Sequence, residues 1–395
     1  RATRASTTAR TPDRPMIVRR IVWVAGVVVF ALASLATVIV ASALPAGYDF
    51  HAYWLAGRNL LSGAPLYPDA TTILGLPDEF RYLPIVAIVF VPFALLPYTV
   101  ALAIWIGIQL LVAAAIGVAL IRPLPSSWRP WAAAGYVFFL GLVLEVTLGN
   151  VNLISLALAL AAWRLRDRAI LAGILLAAAV GLKFLPLTLL LFYIASGRWR
   201  PVVIGGVIGT AALALGAVLM PDRTAEYIRF APRLLEQNWV YEHIARPGPP
   251  ELAAFFWSEW FPLVLAGAAA LVAVLAGVAA RRDPTSENTW HALTLATAGY
   301  LAPFGYFWTT FLILSLPLAS DTLRRASTMP ASVERAVVVG AVVLSWALME
   351  PQQTGTLVPI LWHFLGVMLL CATAVLTLIR PAAVRIPLVT PTRTA

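Results

Sequence analysis

Long apolar runs separated by short polar breaks dominate this chain from residue 21 to residue 379. An α-helix needs about 20 apolar residues to cross a bilayer core. The first run, Ile21–Leu44, follows Arg19-Arg20. It is long for the apolar core of a signal peptide, and no clear small-residue cleavage site ends it, so it reads as a retained span. Residues 82–121 hold two apolar stretches, Leu83–Leu96 and Thr99–Ile121, split at Pro97. If both crossed, Arg122 and Arg129 would face outside. One full crossing plus a shallow or re-entrant segment avoids this. Pro84, Pro92 and Pro97 suit such an irregular path, which is tolerated where protein or a watery cavity covers the backbone. Val151–Trp163, with 13 residues, is too short to span alone and suits a protein with an internal cavity. The pattern predicts an all-α, polytopic transmembrane bundle with about 12 helices at membrane depth. No internal repeat stands out.

One segment breaks this pattern. After the first span, Phe50, Tyr53, Trp54, Gly57, Leu60 and Leu61 recur at helical spacing. They make a single aromatic-rich stripe, the mark of an amphipathic helix lying in the outer membrane interface. Asp49 opens this helix. Two roles suit it: a helix N-cap and a general base held at the membrane surface. The two are compatible, because a cap fixes the carboxylate in place.

Composition agrees with the lipid setting. Apolar residues make up 61% of the chain and charged residues 12%, against about one-quarter charged in an ordinary soluble domain. The net charge of +10 is not a nucleic-acid signature, because the arginines sit in small groups between apolar runs. Residues 122–130, 164–168, 198–200, 281–287 and 321–333 and the C-terminal tail then read as cytoplasmic, by the positive-inside rule. Outer loops fall at 45–80, 221–250, near 303–308 and at 350–356. The expected organisation is a disordered cytoplasmic tail over 1–16, a membrane domain over 17–380 and a cytoplasmic tail over 381–395. The protein is expected in the cell membrane, with both termini inside and the active site outside. The single Cys371 rules out an intrachain disulfide.

Polar residues within apolar runs are costly and mark functional or structural sites. Glu145 precedes Gly149-Asn150-Val151-Asn152, and Lys183, the one lysine, opens Lys183-Phe184-Leu185-Pro186. Both groups fall at outer helix ends. Glu145 and Lys183 suit a structural pair; Lys183 also suits a phosphate contact, as a point charge. Asn150 and Asn152 can bridge helices through hydrogen bonds. Arg81, on the outer side, either snorkels or meets an anion such as a lipid phosphate. The loop 221–250 is a solvated face or part of an acceptor groove. His291 and His363 are isolated and read as structural. No zinc-ligand spacing and no phosphate-cradling glycine loop occurs, so neither a metal nor a nucleotide is expected.

An Asp soon after span one, an aromatic helix ending in Ala56-Gly57-Arg58-Asn59-Leu60-Leu61-Ser62-Gly63, and then Leu66-Tyr67 form the start of an ordered set. Tyr82-Leu83-Pro84 with Pro92 and Leu96-Pro97, Gly149-Asn150-Val151-Asn152-Leu153, Lys183-Phe184-Leu185-Pro186-Leu187 and Gly197-Arg198-Trp199-Arg200 continue it. Together they resemble the actinobacterial-type branch of the GT-C membrane glycosyltransferases. That branch includes polyprenol-phosphate-mannose-dependent α-(1→2)-mannosyltransferases; related enzymes use polyprenyl-phosphate arabinofuranose. Two departures stand out. The family's later outer motif carries histidines, whereas here Ala302–Trp308 has none, which leaves Tyr306 or Trp308 to fill that space. The acidic site is also a lone Asp49 where many GT-C enzymes have an acidic pair.

The resemblance implies a single inverting displacement with no cofactor. Asp49 is the base. Lys183, Arg81, Tyr82, Asn150 and Asn152 lie toward the phosphate of the lipid-linked donor. His51, Arg58, Glu145, Tyr306 and Trp308 line the acceptor side or the cavity. The implied partners are a polyprenyl-phosphate sugar, a glycolipid or glycan acceptor and membrane lipid. The competing class is a lipid-linked sugar flippase or transporter, whose sites usually lie nearer the bilayer midplane.

Overall fold

The computed structural model describes residues 35, 46–67, 80–183, 187–236, 260–299, 301, 309–329, 333–349 and 357–379. The described residues are helical, with no strand among them. In chain order the helices are α1 (Tyr48–Ser62), α2 (Pro84–Ala94), α3 (Tyr98–Ile121), α4 (Arg129–Val137), α5 (Leu140–Leu148), α6 (Asn152–Arg164), α7 (Ala169–Leu182) and α8 (Leu187–Ala195). They continue with α9 (Trp199–Leu219), α10 (Pro221–Glu236), α11 (Trp260–Arg282), α12 (Ser286–Gly299), a 3-10 turn (Thr309–Ser315), α13 (Leu316–Ser327), α14 (Val333–Met349) and α15 (Leu357–Ile379).

The apolar runs of the sequence are divided more finely than a simple row of spans. Among the described residues, α3 and α9 are each long and apolar enough to cross a membrane alone. A third crossing results if α4 and α5, bent by 44° at their junction, act as one. The helices α2, α6 and α7 are apolar but shorter. The split at Pro97 falls where the sequence suggests: α2 stops at Ala94, and Pro97 is the N-cap of the 24-residue α3. The run Ile21–Leu44 lies outside the described residues apart from Leu35.

Packing follows the small residues. Helix α7 lies along α9, α6 along α7, α11 along α12 and α8, and α14 along α15. Much of α9 faces outward, with Val207 and Val218 64% and 77% exposed. Apolar side chains so exposed on a fully hydrogen-bonded helix suit lipid and not water. Helix α1 behaves differently from the expected interfacial helix. Phe50, Ala52, Tyr53, Ala56 and Gly57 are buried, whereas Leu61 is exposed. The buried stripe faces α2, because Gly57 lets the two backbones touch: a Cβ there would lie 2.8 Å from the Phe90 carbonyl oxygen. The resulting core joins Phe50, Tyr53, Phe80, Phe90, Trp105 and Phe230.

A second buried cluster ties α12, α13 and α15 together. His291 and Asp321 are paired with no exposed side-chain surface. The other ring nitrogen of His291 lies 3.1 Å from the Ala374 carbonyl. Arg324 donates to the other oxygen of Asp321 at 2.8 Å, and Arg325 donates to the oxygen that meets His291, at 3.0 Å. The structural role expected for His291 has this physical form. The side chain of His363 lies outside the described residues.

Candidate active site

The site begins with a turn that pins α1 to α5. Gly47 is the N-cap of α1, in the left-handed region, and no side chain caps the helix. Asp49 is therefore not the cap; it sits in the first turn, and its carboxylate is free to point across the bundle. The Gly47 amide donates to the Thr147 carbonyl at 2.7 Å, and the Tyr98 hydroxyl donates to the Gly47 carbonyl at 3.1 Å.

The facing wall is the turn between α5 and α6. Gly149 ends α5 with φ 73°. Both its left-handed backbone and its contact with α1 require glycine, since a Cβ would lie 2.7 Å from the Cβ of Phe50. Trp105 Nε1 donates to the Gly149 carbonyl at 2.8 Å, and Gln109 Nε2 donates to the Asn150 carbonyl at 2.7 Å. Behind the turn, the Glu145 carboxylate accepts from Asn152 Nδ2 at 3.0 Å and from the Leu153 amide at 2.8 Å. Glu145 thus holds the first turn of α6, satisfying a donor that a helix start leaves open.

From this turn Asn150 Nδ2 reaches Asp49 Oδ2 at 2.7 Å. Tyr53, one turn along α1 from Asp49, donates to Asn150 Oδ1 at 3.4 Å and lies 2.9 Å from the Tyr82 hydroxyl. Lys183 Nζ donates to the Tyr82 hydroxyl at 2.9 Å and lies 5.2 Å from the centre of its ring. Tyr67 donates to the Tyr82 carbonyl at 2.6 Å. A continuous polar chain therefore runs from Asp49 through Asn150, Tyr53 and Tyr82 to Lys183.

Asp49 remains partly exposed, as a base must be, but its surroundings are densely packed. Burial raises its pKa above the ordinary carboxylate value, and the charges of Lys183 and Arg81 and the Asn150 hydrogen bond offset only part of that rise. Such a group holds a proton more tightly than a surface carboxylate, which makes it a stronger base when ionised.

The structure thus gathers Asp49, Arg81, Tyr82, Glu145, Asn150, Asn152 and Lys183 at one place, although Glu145 and Asn152 stand behind the turn. It sets Arg58 apart. Arg58 is exposed, with its guanidinium 5.0 Å from the Trp54 ring centre, and His51 packs on Trp54 and Tyr98. Arg58 stands nine residues from Asp49, which at 100° per residue is the opposite face of α1. Tyr306 and Trp308 lie outside the described residues. Three contributors escaped the sequence reading as site residues: Tyr53, taken for part of an apolar stripe, Trp105 and Gln109. Gln109 carried a signal, as a lone amide within the apolar α3.

The turn after α1 is braced by α10. The Glu226 carboxylate accepts from the Leu66 amide at 3.1 Å and pairs with Arg223, which also donates to the Gly63 carbonyl. Tyr67 stacks on Phe230 with centroids 5.1 Å apart. Among the described residues, no group of three His, Cys, Asp or Glu side chains could hold a metal ion.

Apolar helices enclosing the carboxylates of Asp49 and Glu145 and the ammonium of Lys183 define a membrane protein whose polar chemistry is gathered at helix ends. The family model for Glycosyltransferase family 87 matches residues 80–315, more than half of the chain, and the chain belongs to that family. The match takes in Tyr82, Asn150 and Lys183 and begins after Asp49. The chain is also 33% identical over 187 residues to the polyprenol-phosphate-mannose-dependent alpha-(1-2)-phosphatidylinositol pentamannoside mannosyltransferase of Mycolicibacterium smegmatis. That alignment covers 43% of this chain and 44% of the relative, so the chain spans less than half of the curated relative that it matches. No solved structure matches.

Proposed function

We propose that this membrane glycosyltransferase moves a sugar, with mannose the first choice, from a polyprenyl phosphate to a hydroxyl of a cell-envelope glycolipid or glycan. In this reading the chain is multi-pass, with about 12 helices at membrane depth, both termini cytoplasmic and the site at the outer face. The observation that carries it is the polar chain from Asp49 to Lys183, which sets a carboxylate and a cation on either side of two tyrosines. The family membership supports the reaction type, and the lipid-linked donor named for the mycobacterial relative supports the choice of donor.

The reaction is a single displacement. Asp49 accepts the proton of the acceptor hydroxyl as its oxygen bonds to the anomeric carbon. The bond from that carbon to the phosphate oxygen breaks on the opposite side, inverting the centre. The electron pair leaves with polyprenyl phosphate, whose charge Lys183 and Arg81 offset. Glu145 and Asn152 support the turn that carries Asn150, and Tyr82 orients Lys183.

The test is transfer of labelled mannose from polyprenyl-phosphate mannose by the purified full chain, with wild type set against Asp49→Asn and Asp49→Ala. Both variants are expected to lose at least about 100-fold in rate. Unchanged transfer would remove Asp49 as the base. Movement of the lipid-linked sugar across vesicles without any transfer, from either a mannose or an arabinofuranose donor, would point instead to a flippase.

A further inference from the structure

We propose that Asn150 is a positioning residue that fixes which oxygen of Asp49 faces the acceptor. This rests on the reading of Asp49 as the base and assigns Asn150 a role different from donor binding.

The assignment follows from where the donors and acceptors lie. Asn150 is 5% exposed. Its Oδ1 accepts from the Val151 amide at 2.7 Å and from the Tyr53 hydroxyl. A backbone amide can only donate, so the carboxamide oxygen must stand on that side and the nitrogen on the side of Asp49. The orientation of the amide is thus decided by its partners. Its backbone is held as firmly: the Asn150 amide donates to the Glu145 carbonyl at 3.1 Å, and its carbonyl accepts from Gln109. Among the described residues, this one rigid donor occupies Asp49 Oδ2. Oδ1 is then the oxygen offered to an acceptor hydroxyl.

A neutral donor suits this position. A hydrogen bond from an amide favours the ionised carboxylate without the strong ion pair that a lysine or arginine at 2.7 Å would make, which would weaken the base. Among the described residues, the charged and titratable groups around Asp49 are Lys183 at the end of α7, Arg81 and Tyr82 ahead of α2, Tyr53 and His51 on α1, Tyr98 on α3 and Glu145 on α5. Lys183 and Arg81 favour the ionised form, whereas burial opposes it. Without Asn150, the opposing influence gains.

The experiment measures kcat, donor KM and the pH profile of kcat/KM for mannose transfer by the full chain, for wild type, Asn150→Ala, Tyr53→Phe and Asp49→Asn. Asn150→Ala is expected to lower kcat by about 10- to 100-fold. Its donor KM should stay within about twofold, and the acidic limb of its profile should move up by about one pH unit. Tyr53→Phe leaves the Val151 contact and so preserves the turn; it should shift the limb in the same direction and by less. A raised donor KM with the limb unmoved would make Asn150 a donor contact and overturn the proposal. An inactive Asp49→Asn beside an Asn150→Ala with the wild-type profile would also overturn it while leaving Asp49 as the base. An active Asp49→Asn would instead bring down the underlying reading.

Discussion

Asp321 lies between His291, Arg324 and Arg325, with no part of its side chain exposed. Among the described residues, Asp49 has one close neutral donor, Asn150, and feels Lys183 and Arg81 as charges. Helix α3 packs against both α1, which carries Asp49, and α13, which carries Asp321. Burial disfavours the charged form of both carboxylates. At Asp321 it is outweighed by the hydrogen bond and charge of His291 and the charges of the two arginines, and the group is held at about 2. At Asp49 burial prevails and the pKa is raised. Both nitrogens of His291 face acceptors, the Asp321 carboxylate and the Ala374 carbonyl, so the ring serves both only with a proton on each. Surrounded by cations, Asp321 holds three helices together and is useless as a base. Asp49, left short of compensation, keeps its affinity for a proton.

The sharpest test of this contrast is stability. Asp321→Asn removes the carboxylate that His291, Arg324 and Arg325 share, leaving Arg324 with Glu287 alone, and is expected to cost about 3–5 kcal/mol, measured by denaturant unfolding in detergent. Asp49→Asn should unfold at the same point as wild type or later. The sign follows from its raised pKa: above that value the folded state carries a charge it would hold more cheaply protonated, and asparagine removes the cost. Equal destabilisation by the two substitutions would erase the distinction.

The pH dependence sharpens it further. The pKa of Asp321 is lowered, so its contribution to stability is complete above the ordinary aspartate value of about 3.9 and disappears as the pH falls through about 2. Asp49 protonates above the ordinary value, so transfer should fall by about tenfold per pH unit before unfolding begins. A rate and an unfolding signal read over the same acid range should therefore separate, with activity lost first. Coincident loss would show that one carboxylate does both jobs.

Glu226 provides an intermediate case. It is a carboxylate near the surface, braced by Arg223 and the Leu66 amide. Glu226→Gln should loosen α10 from the Gly63–Leu66 turn by about 1–2 kcal/mol, read as faster hydrogen exchange at Leu66 and Tyr67, with a smaller effect on transfer than either Asp49 variant.

Much of this site was legible without coordinates. A charge within or beside an apolar run is expensive, so Asp49, Glu145 and Lys183 stood out at once. Which of them meet was not legible. Glu145 and Lys183 look like natural partners by charge, yet Glu145 holds Asn152 and the Leu153 amide, and Lys183 donates to Tyr82. Tyr53 counted as apolar, because spacing records its ring and not the direction of its hydroxyl. The expected N-cap at Asp49 gave way to Gly47, whose left-handed backbone turns the chain before the helix begins.

By itself the sequence determined the helical class, the lipid setting, the break at Pro97 and the few polar residues worth attention. These follow from composition and from periods of a few residues, which local chemistry sets. Tertiary structure alone decided that Asn150 should meet Asp49 and Lys183 should meet Tyr82, each pair 101 residues apart, and that Asp321 should be neutralised while Asp49 is not. Helical periodicity repeats every few residues and carries no record of which helices stack. The protonation of a buried carboxylate depends on the donors and charges that this stacking brings within reach.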